Sequence, residues 1–448
     1  MKKFLSAPVA MLLAVSILAG CAGSTPVTTS EPAAATDTPA TDTPATADTP
    51  VAEAEPVTLK WALWDLEVTD YYRAIMDGYK KVAPHVTIEP VDLGSADYMN
   101  MLQTQLSGNA DFDVVAIKDI PGYANLIAQN QLEPLNDYVN SAGIDTDLFG
   151  GITEQVTVDN ELYQLPFRSD FWVIFYNKDL YDAVGVEYPS NDLTIEDYDA
   201  LARKLVNGEG NDKVYGAHYH TWRSCVQLFG ILDGLHSIVD GTYDWIAPYY
   251  EMILAQQKDG VVMDYATAVS TSSHYRDLFF NAKIAMMNNG TWMIASNITA
   301  SADGTSLATN WGMVKYPHPA GTEPGTTFGT ITGVSIAANS KNKDEAFKFI
   351  EWTSGPEGAT ALAAIGAIPA IQTEEIMSAI ANAPGFPTDQ NSIDALQTAK
   401  IYLEMPLHEK SGEIDVALNE EHSEIMNGSK TIEDGLAAMN RRVGEILQ

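Results

Sequence analysis

The sequence predicts an α/β protein of two lobes, each an open and mostly parallel sheet flanked by helices, with a ligand cleft between the lobes. Three observations lead there. A chain of 448 residues is too long for one ordinary core, which favours two bodies plus appendages. Its apolar fraction of 46% is that of a globular protein. Beyond residue 56 the pattern runs strand, helix, strand, helix, strand, the order that builds an open parallel sheet.

Residues 1–20 read as an export signal, with Lys2 and Lys3 ahead of an apolar run from Val9 to Leu18. That run is too short to remain as a membrane span. It ends in Leu18-Ala19-Gly20-Cys21, which resembles a bacterial lipobox and implies cleavage before Cys21 and lipidation there. Residues 21–56 follow as Thr, Pro, Ala and acid, with Thr-Asp-Thr-Pro-Ala repeated, a composition that cannot bury a core. About 35 residues of this kind, extended at about 3.1 Å each, reach roughly 100 Å, so the segment reads as a tether. With Cys21 acylated, Cys225 has no partner for a disulfide and reads as a small buried apolar residue. The net charge of −35 repels nucleic acid and anionic headgroups, and neither is an expected partner.

The body begins with a strand at Val57–Trp64 that ends at Asp65. A helix over Asp70–Val82 carries Tyr72, Ile75, Met76 and Tyr79 on one stripe, and Pro84 closes it. Val86–Val91 is a strand, Tyr98–Leu106 a helix and Phe112–Ile117 a strand that runs out into Asp119 and Tyr123. In open sheets ligands sit outside the carboxyl ends of strands, which makes Trp64, Asp65, Asp119 and Tyr123 candidates.

Tyr163–Val186 is the stretch with most information. Arg168 and Asp170 precede the apolar run Phe171–Tyr176, so charges stand where the chain enters a buried strand; the plain alternative is that the two pair with each other at the surface. Asn177 caps a following helix that Gly185 ends. Thr194 and Asp197 cap a surface helix running to Leu205. His218, Tyr219, His220, Trp222 and Arg223 form a polar and aromatic cluster, in which the two histidines read as solvent-facing and not as metal ligands. No metal or cofactor is implied. Ile284–Met287 reads as a strand followed by a turn that holds Trp292. Phe328–Ile336 is a glycine-punctuated strand lacking the lysine and spacing of a phosphate loop, and a capped amphipathic helix from Thr431 to Leu447 closes the chain.

Several of these pieces, in this order, resemble the extracellular solute-binding proteins of bacterial ABC importers, in the sugar-binding group that includes the maltose-binding protein. The matching segments are the lipobox, Tyr163–Val186, Lys283–Trp292, Gly333–Ala370 and Ser429–Leu447. The resemblance implies the two-lobed, type II periplasmic-binding-protein-like fold, with 57–167 and 329–368 in one lobe and 168–328 and 369–448 in the other. It also implies a non-catalytic, monomeric carrier, held at the cell surface by its lipid, that closes on a carbohydrate and passes it to the permease subunits of the transporter. By the same likeness Asp170 and Asp119 fall where acids meet sugar hydroxyls, and Trp292 falls where an aromatic stacks on a pyranose. Gly329-Thr330 stands where Gly-Gly is common.

The residues support this separately, because sugars are held between aromatic faces and planar groups such as Asp and Arg. Trp64, Trp222 and Trp292, near strand ends beside charge, are the candidate ring faces, with Arg168 and Thr330 as polar partners; Trp172, in mid-strand, reads as core. Two other readings fit the same pieces: a polyamine or other cation in an acidic cleft, and a secreted glycoside hydrolase built from acids beside tryptophans. Cys21→Ser is expected to move the protein from the membrane fraction to the soluble fraction on cell fractionation; a variant that stays with the membrane would refute the lipobox reading.

Overall fold

The computed structural model describes residues 55–448, so the signal, Cys21 and nearly all of the tether lie outside the described residues. The body opens as its periodicity predicts. Strand β1 (Val57–Leu63), helix α1 (Asp70–Val82), strand β2 (Val86–Asp92), helix α2 (Tyr98–Ser107), strand β3 (Val114–Ile117) and helix α3 (Ile120–Ala128) alternate, and β1 pairs in parallel with both β2 and β3. The stripe of α1 packs on this sheet, where Tyr72 and the fully buried Trp61 meet edge to face at 5.2 Å.

Two long strands then join this core to a second one. β4 (Leu165–Asn177) is buried along all of its 13 residues, and β7 (Thr326–Ile336) runs antiparallel beside it. Leu165 and Phe167 pack in the first core, whereas Trp172, Ile174 and Tyr176 pack on one face of the second sheet and Phe171, Val173 and Phe175 on the other. β7 makes the reverse passage, with Phe328 in the second core and Ile331, Val334 and Ile336 in the first. Because side chains of a strand alternate faces, a strand buried on both sides reads as a continuous apolar run, as this one does.

The second sheet departs from expectation. β5 (Met286–Gly290) and β6 (Trp311–Lys315) both pair antiparallel with β4, so "mostly parallel" holds for β1 to β3 and not here. The reason is geometric: a strand that leaves the first core and one that returns to it run in opposite senses, and β4 with β7 sets the direction for its neighbours. The short β8 (Lys400–Leu403) is parallel to β7. β5 also begins two residues later than the sequence pattern indicates and includes Asn289-Gly290; the expected turn is confined to Thr291 and Trp292 and leads directly into the helix Met293–Ala302.

Local signals hold where they were specific. The side chains of Asn177, Thr194 and Thr431 each accept a backbone N–H of the helix they cap, Gly185 sits at φ 68°, and Cys225 is free and buried. His218 and His220 are not solvent-facing. His218 is 2% exposed and His220 lies under Trp222 at 4.4 Å, because the chain after Gly216 runs through the second core instead of over it. Burial lowers both imidazoles, to about 3 and about 4, and no metal-binding group of side chains occurs among the described residues.

Gly329 faces Phe171 in the β4–β7 ladder, where a Cβ would stand 2.4 Å from the Asp170 carbonyl oxygen and 2.9 Å from Ile401. Gly329→Ala is therefore expected to cost about 1–3 kcal/mol, as overpacking does, and to lower the melting temperature by several degrees in a thermal scan.

Candidate functional site

Where β4 and β7 pass between the cores, three residues of β4 have polar side chains at positions 168 to 170. Arg168 and Ser169 are 5% exposed and Asp170 is 1% exposed. The Arg168 guanidinium donates to Asp170 Oδ2 and lies 4.2 Å from the centre of the Tyr71 ring. The Thr291 hydroxyl donates to Asp170 Oδ1 at 2.8 Å. The two charges thus pair with each other as the plain reading had it, but inside the protein and not on its surface. Burial pushes the Asp170 carboxyl up, opposed by Arg168 and Thr291.

This crossing is the floor of a cleft of about 710 Å³. Its first wall comes from strand ends of the parallel sheet. Trp64, at the end of β1, is 8% exposed and leans on Tyr98 at 4.9 Å. Asp65 follows in a left-handed conformation, φ 53°. Lys118 Nζ donates to the Ser95 hydroxyl at 2.9 Å and sits 5.6 Å from the Trp64 ring, and burial lowers its pKa. Asp119 caps α3 by accepting from Gly122 N at 2.7 Å, while burial raises its carboxyl.

The opposite wall is aromatic. Trp292 stands edge to face with Trp172 at 5.6 Å and with Trp222 at 6.2 Å, and Trp222 meets Tyr275 at 5.5 Å. One side of the Trp292 six-membered ring rests on Gly290, where a Cβ would come within 1.9 Å of it; only glycine leaves that seat open. Trp222 is 37% exposed.

The C-terminal part of the chain closes the end of the cleft. Glu404, just past β8, accepts from Trp172 Nε1. Arg223 Nε donates to Asp415 Oδ1 at 2.7 Å, so the helix Ser411–Met426 is tied to the tryptophan cluster. Burial raises the Glu404 carboxyl to about 7, opposed by the Trp172 indole and by Arg223.

Of the residues singled out from sequence, Trp64, Asp65, Asp119, Arg168, Asp170, Trp222, Trp292, Gly329 and Thr330 all line this one cleft. Tyr123 does not. It is fully buried in the first core, its hydroxyl donating to the Val156 carbonyl at 3.0 Å and accepting from Tyr163 N at 3.1 Å, because α3 turns it away from the strand end that Asp119 occupies. Trp172 is core, as read, but its indole edge also reaches the cleft. Tyr71, Arg223, Tyr275, Arg276, Glu404 and Asp415 went unrecognised as lining residues. For Glu404 the strand-end rule that found Asp119 would have served, had the four-residue β8 been visible.

Residues 66–360 match the family of bacterial extracellular solute-binding proteins, and the chain belongs to that family, whose members are substrate-binding components of ABC transporters and not enzymes. A sugar transporter of Rhizobium etli, solved in an open conformation, is 46% identical and superposes with a TM-score of 0.75 over 86% of this chain and 99% of its own. An ABC substrate-binding protein of Listeria monocytogenes in complex with cycloalternan shares the two-lobed fold, at 21% identity and a TM-score of 0.75 over 88% of this chain and 99% of that one. An ABC transporter-binding protein of Deinococcus radiodurans is 26% identical over 62% of this chain and 67% of its own length. Among the described residues no helix is long and apolar enough to cross a membrane.

Glu404 ties stability to pH. With a folded pKa of about 7 against an ordinary 4.5, the folded state holds the extra proton between those values. The contribution is full below about 4.5 and lost as pH rises through about 7. Glu404→Gln keeps an acceptor for Trp172 and removes the titration. Its melting temperature is expected to gain on that of the unaltered protein as pH rises from about 5 to about 8; a constant difference across that range would contradict the assignment.

Proposed function

We propose that the cleft captures a carbohydrate, a single sugar or a short oligosaccharide, and delivers it to the permease subunits of an ABC importer by closing on it. The observation that carries this reading is the meeting, at the β4–β7 crossing, of indole faces with planar donors and acceptors. Sugar rings have apolar C–H faces and a rim of hydroxyls, and such walls suit both. In this reading Trp292, Trp222 and Trp64 are the ring faces, and Asp65, Asp119, Arg168, Asp170, Thr330 and the Gly329 backbone meet hydroxyls. The lobes are residues 57–167 with 329–368 and residues 168–328 with 369–448, hinged where β4 and β7 change cores, since hinge motions concentrate at a few such positions. The name of the Rhizobium etli relative, a sugar transporter, supports the cargo. The body acts as a monomer at the cell surface, tethered through residues 21–56 to a lipid on Cys21, a placement that rests on the export signal and lipobox. Carboxylates outnumber cations in the lining, and Arg168 and Arg223 are each paired with one, which keeps a polyamine or other cationic cargo as the second reading.

Trp292→Ala tests the stacking role. Loss of one ring platform is expected to weaken saccharide binding about tenfold or more, since stacking contributes about 1 kcal/mol beyond area burial and about 1.4 kcal/mol is a factor of ten. Calorimetric titration after a thermal-shift screen of saccharides reads this directly. A variant that melts lower when free yet binds with unchanged affinity would make Trp292 a core residue and move the platform to Trp64 or Trp222.

A further inference from the structure

Glu404 lines the cleft and has no part in the reading above. Its backbone N–H donates to the Gly329 carbonyl at 3.0 Å, which seats it on the floor beside Gly329 and Thr330, and its Oε1 accepts from Trp172 Nε1. Oε2 has no hydrogen-bond partner among the described residues and is not sealed from solvent. The residue is half-buried in the lining. One oxygen thus holds the indole that props Trp222 and Trp292, and the other is free for a ligand. The segment carrying it belongs to neither core alone: Tyr402 and Met405 pack in the second core, Leu403 and Leu407 against the first.

The surroundings of Glu404 do not favour a bare charge. Burial is the largest influence, and Asp415 on the helix Ser411–Met426 and Asp170 on β4 add to it, while the Trp172 indole and Arg223 oppose it; the carboxyl keeps its proton up to about 7. Cys225 and Tyr316, whose own protons burial holds tightly, stand beside it as neutral groups. With Oε1 committed as an acceptor, that proton resides on Oε2. The ionised form lacks a second donor, and a sugar hydroxyl supplies one. A hydrogen bond to a carboxylate is about twice as strong as one between neutral groups, and it favours the charged form.

Resting on the carbohydrate reading above, we infer that Glu404 is a cargo-contacting residue whose free oxygen accepts a hydroxyl hydrogen of the bound saccharide, so that loading sends the carboxyl proton to solvent and acid loosens the cargo. A carboxyl whose pKa is lower with ligand than without releases a proton on binding; affinity is full above the free value and falls as pH drops through it.

The test titrates the mature chain by calorimetry with neutral saccharides, which do not themselves change charge: glucose, galactose and mannose, then maltose, cellobiose and mannobiose. Each is measured at about pH 6 and about pH 8, in buffers of different ionisation heat. With a free value of about 7 and a bound value at the ordinary carboxylate level, the tightest of them is expected to bind about tenfold more weakly at pH 6 than at pH 8 and to release about one proton at pH 6. In Glu404→Gln, whose amide keeps an acceptor for Trp172, both the pH dependence and the proton release are expected to vanish. Saccharide binding that releases no proton at pH 6 would overturn the inference and leave the carbohydrate reading standing, as would a pH dependence that survives in Glu404→Gln. Binding of no saccharide in the series would overturn both. The proton count is taken on the unaltered protein, so it decides the matter even where circular dichroism shows the variant unfolded.

Discussion

Two strands in this protein must each be interior to two cores, and the rest of the molecule is arranged around that requirement. β4 and β7 keep their ladder of backbone hydrogen bonds through the passage, but their side chains change partners. Between the last residue of β4 in the first core and the first in the second, the backbone is held and the side chains at 168 to 170 stay buried, although Arg168 and Asp170 border the cleft. Polar groups placed there cannot be left single. Removing one member of a buried ion pair costs about 3–5 kcal/mol, whereas an ordinary hydrogen bond contributes about 0.5–1.5 kcal/mol. By those magnitudes the first task of Arg168 and Asp170 is to neutralise each other at the crossing. Under the proposed function, only the lone pairs and N–H groups that remain are left for contact with a ligand.

The aromatic wall depends on the same passage. Trp172 is part of β4, so its ring is fixed by the sheet, and it in turn props Trp292 and Trp222 edge to face. Gly290, paired with Trp172 across β4 and β5, is the bare backbone on which Trp292 lies. Behind Trp222 stand His220 and then His218, both kept neutral by burial. A wall of this kind is stiff: its rings are held by a strand, a glycine and one another, so little ordering is left to be done when a ligand arrives.

What could be read in the sequence, and what could not, follows from range. The caps at Asn177, Thr194 and Thr431, the stripe of α1 and the long apolar run of β4 are local patterns, each written within a few residues, and each appears in the structure. Placing Asp119, Asp170 and Trp292 in a single cleft needed only the rule that strand ends and sheet edges carry ligand groups, helped by the family resemblance. Tyr123 was misplaced because that rule says nothing of which way the first turn of the next helix rotates a side chain. The antiparallel second sheet and the arrival of Glu404 and Asp415 depend on pairings across more than a hundred residues, as with Trp172 and Glu404 or Arg223 and Asp415, and His220 is covered by rings more than fifty residues away, those of His274 and Tyr275. No local pattern encodes those.

The cleft is lined by residues from Trp64 to Asn419, and this has a bearing on how the protein is made. Contacts so distant in sequence form slowly, because loop closure must come before they offer any stability. A growing chain that has produced the parallel sheet still lacks β7, Glu404 and the helix carrying Asp415. It can hold neither the crossing nor the tryptophan wall. The full lining therefore waits for Glu404, Asp415 and Asn419, so that a product truncated before them, even one with a folded first sheet, lacks part of the cleft.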